Sequence, residues 1–203
     1  QRQYELPDSS AARITIARYY TPSGRLIQRS FEGKFDDYYR DLRDKNREAN
    51  DSLLAGRPVY KTRKNRKVYG GGGITPDIYV SNESDYSQST IRLLSHKERL
   101  VFNYSSTIKE EIPDFYIDYS DYDLNCNLNK SEMDRFLDWL DSREFEYERN
   151  ELIDDWALVE NRILAEIAGA LWGKDFAYHK RLKMDKQAME ALNYFDMAEA
   201  ILK

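Results

Sequence analysis

One stretch limits the architecture of this chain more than any other. From about Glu148, the apolar residues Leu152, Trp156, Val159, Ile163, Ile167 and Leu171 recur at three and four across six helical turns. Gly173 follows as a C′ residue able to end the helix. An apolar stripe of that length must be covered by others. Met133, Phe136, Leu137 and Leu140 form one, behind Ser131 and Asp134, which resemble a capping box with Asp in place of Glu or Gln. Asp185 opens the last helix, with Met189, Leu192, Phe195 and Ile201 as its apolar edge. A further helix, opened by Ser87 or Ser89, carries Ile91, Leu94, Val101 and Phe102 near one face and is interrupted at Pro113. Phe115 to Tyr119 suits either a strand or a packed loop. Residues 85–203 are expected to form a helical bundle domain.

The beginning of the chain has a different period. Tyr4 and Leu6 lead into a turn at Pro7-Asp8-Ser9-Ser10, and Ala12, Ile14 and Ile16 alternate with Arg13 and Thr15 on the way out, as in a hairpin. Ala17 to Arg25 reads as a strand running into a turn, with Pro22 fixing φ and Gly24 free to take the positive φ that closes it. The answering segment, Gly73-Ile74-Thr75-Pro76-Asp77, reads as a turn entering a strand in which Ile78 and Val80 alternate with Asp77 and Tyr79. Between them, residues 31–69 form an insertion: Phe35, Tyr38, Tyr39 and Leu42 fall at helical spacing, then a polar tract and a mobile loop follow. Gly70 to Gly73 suits a flexible joint or a close backbone approach. The expected fold class is α+β, with residues 1–84 contributing a β segment with its insertion at 31–69 and residues 85–203 the helices.

Composition narrows the chemistry. The 203 residues carry a net charge of −5, which argues against nucleic acid as the main partner. Six basic residues and no acidic one lie between Arg57 and Lys67, with Tyr60 among them. Interleaved bases and an aromatic can grip a nucleic-acid backbone, but in an acidic chain they read as a solvated loop face. Cys126 is the single cysteine, which excludes an internal disulfide and a cysteine-based metal site. Asp121, Asp123, Asn125, Asn127, Asn129 and Glu132 match the ligand positions of a calcium loop, yet Cys126 stands where such a loop needs Gly. The segment is read as an Asn-rich turn with Ser131 capping the next helix. His96 and His179 have no second ligand at i+4 and no serine sits in a Gly-x-Ser-x-Gly elbow. No metal and no cofactor is expected.

The segment Ala17-Arg18-Tyr19-Tyr20-Thr21-Pro22-Ser23-Gly24-Arg25, then Ile27-Gln28 and, some fifty residues on, Gly73-Ile74-Thr75-Pro76-Asp77, closely resembles the carboxy-terminal processing peptidases, or tail-specific proteases. The insertion and the helical end are similar to those of the Bacteroidetes members. The resemblance implies a serine endopeptidase in which a Lys general base activates a Ser nucleophile, acting on protein or peptide substrates presented by their C-terminal tails. A Lys desolvated by its pocket can lose its proton near neutral pH and accept the Ser proton without any His. Aligning Ala17 with the family pattern puts the family's Lys-orienting Gln on Gln1 and both Ser and Lys upstream, so the chain alone is expected to be inactive. The resemblance also implies a parent protein of the periplasm or cell envelope. The runner-up is a non-catalytic helical module for protein interaction or oligomerisation, with self-association through exposed strand edges or the helices.

Overall fold

The computed structural model describes residues 1–29, 54–81, 86–112 and 116–202. The fold is α+β, and the chain divides into two compact units, Gln1–Glu83 and Ser84–Lys203. The helix expected around Phe35 to Leu42, the polar tract after it, Pro113 and Phe115 lie outside the described residues.

In the first unit, β1 (Arg2–Glu5) and β2 (Ala11–Ile14) pair antiparallel, from Arg2↔Ile14 to Glu5↔Ala11. Asp8 closes the turn by accepting from the Ser10 N–H at 3.0 Å and the Ser10 hydroxyl at 2.6 Å. The strand ends at Ile14, short of the expected Ile16. A second hairpin corrects the mobile loop expected before Gly70: β3 (Val59–Lys61) and β4 (Lys67–Tyr69) pair antiparallel with Tyr60 opposite Val68. Val59, Tyr60, Val68 and Tyr69 supply β-favouring cross-strand pairs that the charges around them mask in sequence. Thr62 and Asn65, the latter at φ 63°, make the turn. Residues 74–80 lie in no strand, which corrects the expected entry at Pro76. Instead, Thr75 and Asp77 are taken by side chains, as described below.

The second unit is built around one buried helix. Its elements are α1 (Gln88–Leu94), α2 (Leu100–Ile108), α3 (Tyr119–Asn125), α4 (Lys130–Asp141), α5 (Arg149–Asp154), α6 (Trp156–Trp172), α7 (Lys174–Leu182), α8 (Lys186–Ala191) and α9 (Phe195–Leu202). Val159, Ile163, Ile167 and Ala168 of α6 are fully buried, with Leu152 of α5 and Phe136, Leu137 and Leu140 of α4. Tyr104 of α2 meets the Phe136 ring edge-on at 4.7 Å. At the α6–α7 crossing, a Cβ on Gly169 would meet Ala177 Cβ at 3.1 Å, so the close approach depends on the missing side chain.

Several helix boundaries differ from expectation, each for a local reason. The single helix expected from Glu148 is two, broken at Asp155, whose carboxylate accepts from the Ser87 N–H at 2.8 Å while Glu151 accepts from the Ser89 N–H at 3.0 Å. Those carboxylates satisfy the orphan donors at the start of α1. Ser87 is the N-cap of α1 and accepts from the Thr90 N–H. The expected helix through Phe102 is interrupted by Arg99, at φ 52°, and turns Leu93, Leu100, Val101 and Tyr104 inward while Ile91, Leu94 and Phe102 stay exposed. The cap of α4 is Asn129, two residues before Ser131, in a full capping box with Glu132. Asp185 caps α8 as expected, and a 3₁₀ turn at Leu192–Tyr194 leads into α9.

Candidate functional site

The two segments that carry the family resemblance come together within the first unit. Thr21 N–H donates to Arg25 O and Gly24 N–H to Thr21 O, both at 2.8 Å, with Gly24 at φ 85°. Tyr20 bridges to Leu26, so the segment is a tight turn closed by backbone bonds. Beyond it, Arg29 pairs with Gly72, and a Cβ on Gly73 would lie 3.5 Å from Ile27 O. The glycine run is therefore a close approach. At Gly70 a Cβ would meet Tyr60 Cε2 at 2.6 Å, and at Gly72 it would meet Arg57 Nη1 at 2.6 Å.

The basic hairpin holds the second segment. Arg57 Nη1 donates to Thr75 Oγ1 at 3.1 Å, and Arg66 pairs with Asp77. Two of the basic residues read as a solvated face are thus turned onto the motif. The segments assemble no nucleophile with a base: the Thr21 and Ser23 hydroxyls bond each other at 2.9 Å, and the Asp77 carboxylate is held by Arg66. Gln1, the single residue carried over as catalytic, is exposed and lies one residue ahead of β1.

In the first unit Val68 is the one buried hydrophobic residue among those described. Tyr4, Leu6, Ile14, Ile16, Tyr19 and Tyr20 are all exposed, Tyr19 to 70%. A lone two-stranded hairpin with bare apolar side chains is marginal in water.

A charged cluster that sequence reasoning missed lies among the described residues of the second unit. The side chains of Asp123 on α3 and Lys180 on α7 are each 8% exposed, with Nζ 3.1 Å from Oδ1. The ammonium donates to the Asp123 main-chain oxygen, also at 3.1 Å, so its contact with Oδ1 is ionic and off the hydrogen-bonding direction. Lys183 pairs with the other carboxylate oxygen, and His179 Nδ1 lies 3.8 Å from it. Burial acts to raise the Asp123 carboxyl, but the bond from Lys183 and the charge of Lys180 outweigh it and hold the group below its ordinary value. Tyr119, whose hydroxyl is 2.8 Å from His179 Nδ1, is pushed up to about 12 by burial and by the Asp123 charge. The cluster ties α3 to α7 and leaves its carboxylate occupied.

That occupation also decides the calcium-loop pattern. Asp121, Asp123 and Asn125 lie on α3, where Asn125 Nδ2 donates to Asp121 at 2.6 Å. Leu128 N–H donates to Glu160 at 2.6 Å, and Asn129 and Glu132 cap each other. The would-be ligands are thus spread over a helix and a cap. Cys126 ends α3 and is buried, which pushes its thiol up. His96 stands away from His179, edge-on to Phe145 at 5.5 Å.

No family model matches the chain. Among curated proteins it is similar to a phosphopentomutase of Pseudothermotoga lettingae, 33% identical over 105 residues that cover 48% of this chain. The chain spans 27% of that relative's length. No solved structure matches. No helix of the described residues is long and apolar enough to cross a membrane.

Proposed function

We propose that this chain is the C-terminal portion of a serine endopeptidase that cleaves proteins near their C-termini by a Ser/Lys mechanism, in a parent of the periplasm or cell envelope. Residues 1–84 close the edge of the catalytic domain and residues 85–203 form its helical extension. Gln1 orients the Lys amine, and Ser and Lys are supplied from upstream. The observation that carries this reading is the meeting of the two motif segments, far apart in sequence, with Gly73 close to the Ile27 carbonyl and the flanking residues Arg29 and Gly72 bridged. The bare apolar side chains of the β1–β2 hairpin support it, since they suit a strand pair that belongs to a larger sheet.

The test uses the protein that contains this chain and its upstream residues, incubated with a reporter bearing an apolar C-terminal tail. Cleavage that is lost when the upstream Lys is replaced by Ala supports the proposal, and an intact reporter overturns it. Phosphopentomutase activity is assayed on the same preparation, because 105 residues of the chain are similar to a protein of that name.

An interaction or oligomerisation module is the second reading, favoured by the exposure of Met189, Leu192 and Phe195 on the last helices. Removing residues 85–203 from the parent separates the two: intact cleavage with altered assembly favours the module, and lost folding favours a structural role.

A further inference from the structure

The β3–β4 hairpin has two unlike faces. Strand alternation and the register Val59↔Tyr69, Tyr60↔Val68 and Lys61↔Lys67 put Tyr60 and Val68 on one face and Val59, Lys61, Lys67 and Tyr69 on the other. The first face is inward. Val68 is 5% exposed, and the Tyr60 ring lies against the Cα positions of Gly24 and Gly70. The second face is outward, with Lys61 and Lys67 exposed and Val59 exposed to 53%. Arg63, at the turn, is exposed beyond them.

Placing two lysines directly opposite each other is unfavourable in a two-stranded sheet, because like charges on paired residues repel at short range. Among the described residues no contact requires it, whereas Arg57 and Arg66 hold Thr75 and Asp77 and so serve the architecture. Lys61, Arg63 and Lys67 remain as outward cations around an exposed valine.

We infer that this outer face is a docking site for an anionic phospholipid surface, with Lys61, Arg63 and Lys67 on the headgroups and Val59 at the headgroup–acyl boundary. Two features favour a lipid surface over nucleic acid. Tyr60, the aromatic interleaved with the bases, is turned inward, and Tyr69 on the outer face is half-buried, so among the described residues no fully exposed ring stands beside the cations as a platform for a base. Val59 places an apolar contact among the cations, an arrangement that suits a headgroup layer over a phosphate backbone. Each basic residue near an anionic membrane contributes about a factor of five in partitioning, so three give weak, reversible and salt-sensitive attachment. The inference stands independently of the peptidase proposal.

The full chain is sedimented with vesicles of phosphatidylcholine alone and with vesicles containing about 30% phosphatidylglycerol, at low salt and at about 0.5 M salt. Binding is expected to the anionic vesicles alone and to disappear at high salt. Lys61→Gln with Lys67→Gln should lower the partition coefficient about thirtyfold or more. The same variant should unfold at higher urea, because the like-charge pair is gone, so weaker binding cannot be ascribed to a damaged hairpin. Equal sedimentation with both vesicle types, no sedimentation, or binding unchanged in the double variant overturns the inference. Retention of a duplex oligonucleotide in preference to anionic vesicles overturns it in favour of nucleic acid.

Discussion

Replacing Asp123 by Asn removes one charge from a pair whose two side chains are each 8% exposed and leaves the Lys180 ammonium without its counterion. At 3.1 Å, two unit charges attract by about 5 kcal/mol at an effective dielectric constant of about 20. Most of that attraction is offset by the cost of taking both groups out of water, so the intact pair adds little net stability. Its one-sided loss is another matter. An uncompensated buried charge costs about 3 kcal/mol, which in a unit the size of Ser84–Lys203 lowers the thermal midpoint by roughly 10 °C. All three tryptophans, Trp139, Trp156 and Trp172, lie in this unit, so their fluorescence during urea unfolding reports on it alone. Asp123→Leu combined with Lys180→Met should recover most of the loss, because it removes both charges and keeps apolar volume. A loss below about 1 kcal/mol in Asp123→Asn, or a double variant no more stable than the single one, would refute the account of this pair.

Three further outcomes follow from the same geometry. Asn129→Ala should destabilise the helical unit by about 1 kcal/mol, while Ser131→Ala should stay within about 0.5 kcal/mol, both read by tryptophan fluorescence in urea. Gly72→Ala should displace the Arg57 guanidinium from Thr75 and speed amide exchange in residues 72–77 about tenfold, because the new Cβ would stand 2.6 Å from Nη1. Asp123, Asp155 and Glu151 all have carboxyls held below their ordinary values. In the first two burial opposes the shift, and the Lys183 bond with the Lys180 charge, or the bonds from Thr90 and Ser87, prevail; in Glu151 the bonds from Ser89 lead. Folded values below unfolded ones mean stability that is complete above the ordinary carboxylate range and lost as pH falls through the folded values. The unfolding midpoint should therefore hold between about pH 7 and pH 5 and drop below about pH 4.

Features that depend on neighbouring residues were legible in the sequence. The turn closed by Gly24, the Ser87 cap, the Phe136–Leu140 stripe and the helix end at Gly173 each follow from a few adjacent positions. Features set by distant partners were hidden. Nothing near Asp155 announces that its carboxylate caps a helix beginning at residue 88, and so a continuous apolar stripe conceals a break. Asp123 matched a calcium-loop position because the pattern is local, whereas the Lys180 that occupies it lies on α7. The basic hairpin was masked for a related reason: its apolar residues are few and paired across a turn, and the charge between them dominates any window read along the chain. Of the motif itself, the residues were visible, but that Arg57 and Arg66 grip its second half was not.

The central claim is tested most directly by intact-mass measurement of a reporter with an apolar C-terminal tail after incubation with the protein that contains this chain. The expected result is truncation near the reporter's C-terminus that persists when His96 and His179 are both replaced by Ala, since a Ser/Lys pair needs no imidazole. An uncleaved reporter, or cleavage abolished in the folded double-histidine variant, would contradict the assignment.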